Sequence, residues 1–244
     1  TDSDSGVFED YGLYTQVEQL NKTALKTHGA DPNGQLYKIN SFEFLRYEDI
    51  IRLSTDPAYD QTAFEALLEI KGDSDHSKLI EMLEVLNDET SSMEDELFVT
   101  YFDKENIAYW MAFQLLTGNT DTQNRNVYLY SPQNSSKWYL WDWDNDGMLR
   151  RREREIIKFS DSESWERGVS NYWGNVLFRR CLQTQSYRDM LDAAMKELYA
   201  YMNKTRIQSM LEHYRSVTET YVWQMPDRMY VPITHAEYED VLKS

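Results

Sequence analysis

Apolar residues recur at helical spacing in separate stretches along this 244-residue chain. Between residues 61 and 70, Phe64, Leu67 and Leu68 fall on one face, which is typical of an amphipathic helix. The same reasoning predicts helices over residues 20–27, 61–70, 75–86 and 103–116, a weakly helical stretch over 42–53, and two or three helices between 172 and 223. The pattern therefore predicts a predominantly helical protein.

A second pattern, rich in aromatic and β-branched residues, marks the predicted strands. Residues 126–130 (NVYLY) and 137–143 (KWYLWDW) flank the turn-forming SPQNSS, which predicts a β-hairpin between helical blocks. QLYKI, at residues 35–39, is another short strand, and residues 6–20 indicate one or two strands leading into the first helix. Because no repeat or linker divides the chain, we expect one α+β domain over residues 1–244.

Composition then excludes several functions. The chain has 42 Asp and Glu against 25 Lys and Arg, for a net charge of −17, whereas nucleic-acid binding requires clustered cations. Its 41% hydrophobic content is too high for a disordered acidic chain. No stretch approaches the roughly 20 apolar residues of a membrane helix, and the first residues, TDSDSG, do not form a signal peptide. The lone cysteine, Cys181, lies in an apolar helical stretch and is expected to be a buried structural thiol.

The most informative chemistry lies on either side of the predicted hairpin. Asp121 and Asn126 precede it, and Asp142 and Asp144 end its second strand. Strand pairing can bring the two ends of a hairpin together. The spacing Asp-x4-Asn, with a later Asp, is that of a phosphoryl-transfer loop, in which the Asp orients the substrate hydroxyl and the others hold Mg²⁺. On spacing alone, the interpretation in which Asp121 and Asn126 simply cap and turn a loop is favoured over the catalytic one.

Residues 101–147, YFDKENIAYWMAFQLLTGNTDTQNRNVYLYSPQNSSKWYLWDWDNDG, resemble the CotH family of spore-coat protein H kinase-like proteins. The resemblance extends over residues 12–38, with Gly-x-Leu-Tyr-Lys at their end, and over the helical segment 171–191. It implies a protein-kinase-like fold and ATP-dependent phosphorylation of Ser or Thr hydroxyls in protein substrates. By the same resemblance, we expect a location in the spore coat or at the cell surface.

The resemblance also assigns roles by position. Asp121 becomes the catalytic aspartate and Asn126 a metal ligand, while either Asp142 or Asp144 is the main metal-binding aspartate. The implied cofactors are ATP and Mg²⁺, with Mn²⁺ or Ca²⁺ as alternatives. The resemblance therefore implies a CotH-like phosphotransferase.

One departure from a kinase concerns the small lobe. Residues 1–40 can supply only its end and the connector, leaving residues 41–244 as the helical large lobe. We expect the connector, with Gln16 and Glu18, to line the nucleotide site, and Lys38 to be a candidate phosphate-side cation or simply a surface lysine. Because no Gly-rich phosphate loop occurs in these residues, we expect weak or absent kinase activity from this chain alone.

A rival hypothesis uses the same acidic segment for calcium. Asp142, Asp144, Asp146, Gly147 and Glu153 match the ligand spacing of an EF-hand loop. The strand-like KWYLWDW stands where an EF-hand has a helix, and the arginines at 150–152 would repel a cation. On this hypothesis the protein is a non-catalytic binding scaffold. A strand that ends at Trp143 favours the kinase-like site, whereas helices on both flanks favour the calcium loop.

Overall fold

The computed structural model describes residues 11–119, 121–148 and 172–243, with side chains as far as residue 239. About half of these residues are helical, and the strands form a four-stranded antiparallel sheet. The predicted α+β class is therefore confirmed.

Most of the predicted helices are present, with boundaries shifted by a few residues. They are α1 (Lys22–Thr27), α2 (Gln61–Leu67), α3 (Ser77–Asn87), α4 (Lys104–Thr117), α5 (Val176–Gln183), α6 (Gln185–Tyr201) and α7 (Lys204–Val222). A further helix, α8 (His235–Lys243), was not predicted. Side chains of Asn21, Asp60 and Asp103 accept hydrogen bonds from backbone N–H groups at the starts of α1, α2 and α4. These caps satisfy donors that have no partner within the helix.

The sheet consists of β1 (Gln35–Ile39), β2 (Leu68–Ile70), β3 (Val127–Ser131) and β4 (Tyr139–Asp142). Its order is β2-β1-β3-β4. The predicted hairpin is confirmed as β3 and β4, which pair antiparallel with Val127 opposite Asp142. β1 pairs with β3 on its other side, so the hairpin is half of a larger sheet.

Three local predictions were wrong. Of the strands predicted over residues 6–20, residues 6–10 lie outside the described residues, and residues 11–20 form neither strand nor helix. The backbone N–H of Leu13 donates to the Asp227 carboxylate instead of to a neighbouring strand. Residues 42–53 are irregular, because Phe44 and Tyr47 both have positive φ values that a right-handed helix does not allow. The helix predicted over 61–70 ends at Leu67, and its last residues form β2.

A π-helical segment, Met93–Tyr101, was not anticipated. Its hydrogen bonds span five residues, as between the N–H of Phe102 and the carbonyl of Leu97.

Packing on the two faces of the sheet explains the alternation within the hairpin. On one face, Val127, Leu129 and Leu140 join the main core with residues of α3, α4 and α5. On the other face, Tyr128 and Tyr130 pack with Ala24 and Leu25 of α1 and Leu36 of β1. Cys181 lies fully buried in the main core, where burial raises the pKa of its thiol, as expected of a structural cysteine.

By its contacts the chain separates into two compact units. The larger, Gln19–Ala200, contains the sheet, and the residues on either side of it belong to the smaller. Contacts do not divide the chain at residue 40, because β1 lies in the same sheet as β3. The lobe boundary expected there stays a prediction. None of the helices in the described ranges is both long and apolar enough to cross a membrane.

Candidate active site

The first loop of the site follows α4 directly. Gly118 ends the helix in the left-handed conformation, with φ 64°, and residues 121–126 lead into β3. Asn119 is 3% exposed, and its backbone N–H donates to the Gln114 carbonyl at 3.0 Å. Burial of Asn119 and its hydrogen bond to α4 therefore hold the beginning of the loop against the end of the helix.

Asp121 and Asn126 contact each other within this loop. Asn126 Nδ2 donates to Asp121 Oδ2 at 3.1 Å, and Arg125 Nε lies 3.5 Å from Asp121 Oδ1. The Asp121 side chain is 56% exposed, so its carboxylate remains open to a ligand. Asn126 has a φ of 55°, a left-handed conformation that asparagine adopts more readily than most residues. The pair expected from the Asp-x4-Asn spacing is thus brought together.

The second loop follows β4 and approaches the first. Since Val127 pairs with Asp142, the residue before β3 lies beside the residues after β4. Asp144 has a φ of 58° and precedes a 3-10 turn, Asn145–Gly147. Asn119 Nδ2 donates to Asn145 Oδ1 at 3.3 Å, which connects the two loops.

Asp142 occupies a different environment from Asp121. It shares the core-facing side of the sheet with its partner Val127, and its Oδ1 accepts a hydrogen bond from Gln114 Nε2 at 2.6 Å. Although part of the side chain reaches solvent, the carboxylate lies against α4 beside a cavity of about 270 Å³. Burial raises the pKa of Asp142 to about 6, against the lowering effect of the nearby Trp110 and Gln114 side chains. Among the residues that the structure describes, none accepts a well-formed hydrogen bond from the Trp110 indole N–H.

A preformed cage of three carboxylates is not found at these loops within the described residues. The group of three that brings its ligand atoms within 4.8 Å of one another is Glu219, His235 and Glu239, in α7 and α8. Arg215 forms ion pairs with both glutamates of that group and already compensates their charge. The two loops nevertheless offer carboxylate and amide oxygens. Such ligands suit Mg²⁺, which usually binds one or two protein carboxylates together with substrate phosphates and water.

The acidic segment after β4 does not have the flanks of an EF-hand. Residues 139–142 form a strand where an EF-hand has its first helix. A strand before the acidic segment, here ending at Asp142, favours the kinase-like metal site over the calcium loop, which requires a helix there. Glu153, the expected closing ligand for calcium, lies outside the described residues, and Asp146 is exposed on the 3-10 turn.

The three expected nucleotide-binding residues differ in position. Lys38, in β1, is half-buried, and its Nζ lies 5.9 Å from the centre of the Trp143 ring, next to Asp144 in the chain. Gln16 and Glu18 are exposed residues of an irregular segment in the smaller unit. Their role in nucleotide binding stays a prediction.

Two contributors, Gln114 and Asn119, were not singled out from the sequence, and a third, Gly147, was named there only as part of the rival calcium loop. Gln114 is a fully buried polar residue within the largely apolar second half of α4, a pattern that could have indicated a partner such as Asp142. Asn119 stands within the Gly-Asn-x-Asp motif, whose spacing gave no role for the asparagine. Gly147 passes so close to Asn119 that an added Cβ would lie 2.8 Å from Asn119 Oδ1.

These features define an α+β protein in which two loops at one end of an antiparallel sheet combine an Asp–Asn pair with an acidic turn. The family model described as CotH kinase protein matches residues 3–244. The chain therefore belongs to the CotH family, and the resemblance stated from the sequence is confirmed. No curated protein matches the chain.

Proposed function

We propose that this chain is the large-lobe part of a kinase-like phosphotransferase that transfers the γ-phosphate of ATP to Ser or Thr hydroxyls of a protein. Asp121 acts as the catalytic base, and Asn126 with Asp142 or Asp144 holds Mg²⁺. The protein substrates are coat or surface proteins, and the protein itself resides in the spore coat or at another extracellular surface. Membership of the CotH family supports this class of function.

The observation that carries the proposal is the 3.1 Å hydrogen bond between Asn126 Nδ2 and Asp121 Oδ2. It places a carboxylate and an amide side by side, next to the acidic turn after β4. Because Asn126 uses its amide N–H towards Asp121, its Oδ1 is the atom suited to a cation. Mg²⁺ bound with ATP would supply charge neutralisation for the transferred phosphoryl group.

In this arrangement Asp121 orients the acceptor hydroxyl and takes its proton at a carboxylate oxygen. Arg125, 3.5 Å from that carboxylate, limits the repulsion between Asp121 and the phosphates. The contribution of these residues is therefore positioning and electrostatic compensation, as expected for phosphoryl transfer.

Asp142 and Asp144 remain alternative metal ligands with different costs. Asp142 must be ionised to bind a cation, and burial against α4 opposes its ionisation. A metal ion bound there would supply positive charge that favours the ionised carboxylate. Asp144 is exposed and sits in the turn that follows.

Calorimetric titration of this chain with Mg²⁺-ATP, and separately with Ca²⁺, tests the proposal without requiring turnover. We expect Mg²⁺-ATP to bind, and Asn126→Ala to weaken the affinity about 10-fold through loss of one charge-assisted contact. Asn134→Ala, which changes an exposed asparagine in the turn of the same hairpin, is the matched control and should bind as the native chain does. Binding of Ca²⁺ alone, or equal Mg²⁺-ATP affinity in both variants, would overturn the proposal.

A further inference from the structure

Asn119 joins the two loops of the candidate site through both ends of its side-chain amide. Its Oδ1 accepts a hydrogen bond from the backbone N–H of Asp121 at 3.3 Å, and its Nδ2 donates to Asn145 Oδ1 at 3.3 Å. The residue is 3% exposed. A single buried side chain thus contacts the loop of the expected catalytic base and the turn after the expected metal ligands.

Gly147 lies close to the Asn119 side chain and has no side chain of its own to prevent the two loops from approaching each other. A Cβ at residue 147 would lie 2.8 Å from Asn119 Oδ1 and 3.9 Å from the Cβ of Asp121. The first distance is shorter than van der Waals contact, so any larger residue would displace the amide or the turn. The φ of Gly147 is not in the left-handed region, so its backbone conformation does not require glycine. The requirement comes from the closeness of the two loops.

We propose that Asn119 is a positioning residue that holds the Asp121 loop and the Asp144–Gly147 turn in register, so that both face the same nucleotide-bound metal. The inference rests on the proposed function for its consequence, whereas the link between the loops stands on the contacts alone. Asparagine suits the position because its amide carries one acceptor and one donor group, and each loop uses one of them. Aspartate would lose the donor, and alanine would lose both.

The link itself is tested by a double-mutant cycle in thermal unfolding. Gly147→Ala should lower the melting temperature by about 5 °C, because the new methyl group meets Asn119 Oδ1. In an Asn119→Ala background, where that oxygen is absent, the same substitution should cost much less. Gly174→Ala is the matched control, because a Cβ there meets no atom within 4 Å and the change should be equal in both backgrounds. Additive effects of Asn119→Ala and Gly147→Ala would overturn the inferred link.

The positioning role is tested by Mg²⁺-ATP titration at a temperature where every variant is folded. Asn145→Ala, which removes only the partner of Asn119 Nδ2, should weaken Mg²⁺-ATP binding about 5-fold, and Asn145→Asp should restore it because the acceptor oxygen is kept. Equal affinity of native chain and Asn145→Ala would overturn the positioning role. If the native chain itself does not bind Mg²⁺-ATP, the proposed function and the positioning role fail together, while the unfolding cycle still decides whether Asn119 links the loops.

Discussion

His76 should make the stability of this protein sensitive to mild acid. The side chain is fully buried, with Nδ1 2.8 Å from the Tyr37 hydroxyl, Nε2 3.1 Å from the Tyr59 hydroxyl, and its ring stacked on Phe64 at 4.1 Å between centroids. Burial lowers the pKa of His76 from 6.5 to about 4. The charges that face it, on Asp75 and Asp73, raise the pKa but do not outweigh burial.

The sign and size of the effect follow from linkage. As pH falls below 6.5, the unfolded chain binds a proton at this histidine while the folded protein does not, so the free energy of unfolding decreases until the pH passes about 4. With these two pKa values, the loss attributable to His76 is about 2 kcal/mol between pH 7.5 and pH 5, and about 3 kcal/mol by pH 4. Above pH 7 the contribution is constant.

The matched variant is His76→Gln, which does not titrate and retains a donor and an acceptor for the two tyrosines. Urea unfolding followed by tryptophan fluorescence at several pH values gives the free energy of unfolding for both proteins. The native protein should lose about 2 kcal/mol more than His76→Gln between pH 7.5 and pH 5. His213→Gln, at an exposed histidine of α7, should keep the native profile. Parallel profiles for the native protein and His76→Gln would show that His76 does not titrate between these pH values with a lowered pKa.

Two further predictions concern charged side chains that are only partly buried. Arg180 donates hydrogen bonds to the Leu86 carbonyl at 2.6 Å and to the Ser91 carbonyl at 2.5 Å. Because Arg180→Ala would leave these carbonyl groups without their donor, it should lower the free energy of unfolding in urea by about 3 kcal/mol. A decrease of less than about 1 kcal/mol would contradict this prediction. Because burial raises the pKa of Asp142 to about 6, ionisation of this carboxyl group above about pH 6 lowers the stability of the folded protein. Asp142→Asn should therefore raise the melting temperature more at pH 8 than at pH 4. Equal shifts in melting temperature at both pH values would show that the Asp142 carboxyl group is not desolvated.

The elements that could be predicted from the sequence are those with local signals. Helix α4 begins after a capping Asp103 and ends at a left-handed Gly118, and both features are visible in the sequence. The hairpin likewise has its turn and its aromatic strands within a single stretch. By contrast, the pairing of β1 with β3 joins residues nearly a hundred positions apart, and β2 continues an apolar helical pattern. Nothing local specifies either.

The candidate site shows the same division. The spacing of Asp121 and Asn126 indicated a contact between them, and the structure has it. The orientation of Asp142 towards α4 depends on strand pairing, because it is set by the register with Val127. The contacts of Asn119 require both loops to be in place, so no spacing along the chain could have predicted them.

The proposed function depends most on Asp121 as the base of a phosphotransfer site. The most direct test is phosphate incorporation from γ-labelled ATP into a Ser- or Thr-containing protein substrate by the protein in its full natural length. Asp121→Asn should reduce the rate at least 100-fold, as expected for loss of a general base. Asp49→Asn, at a fully exposed carboxylate, should leave the rate unchanged. Phosphotransfer by Asp121→Asn at the native rate would show that Asp121 is not the catalytic base.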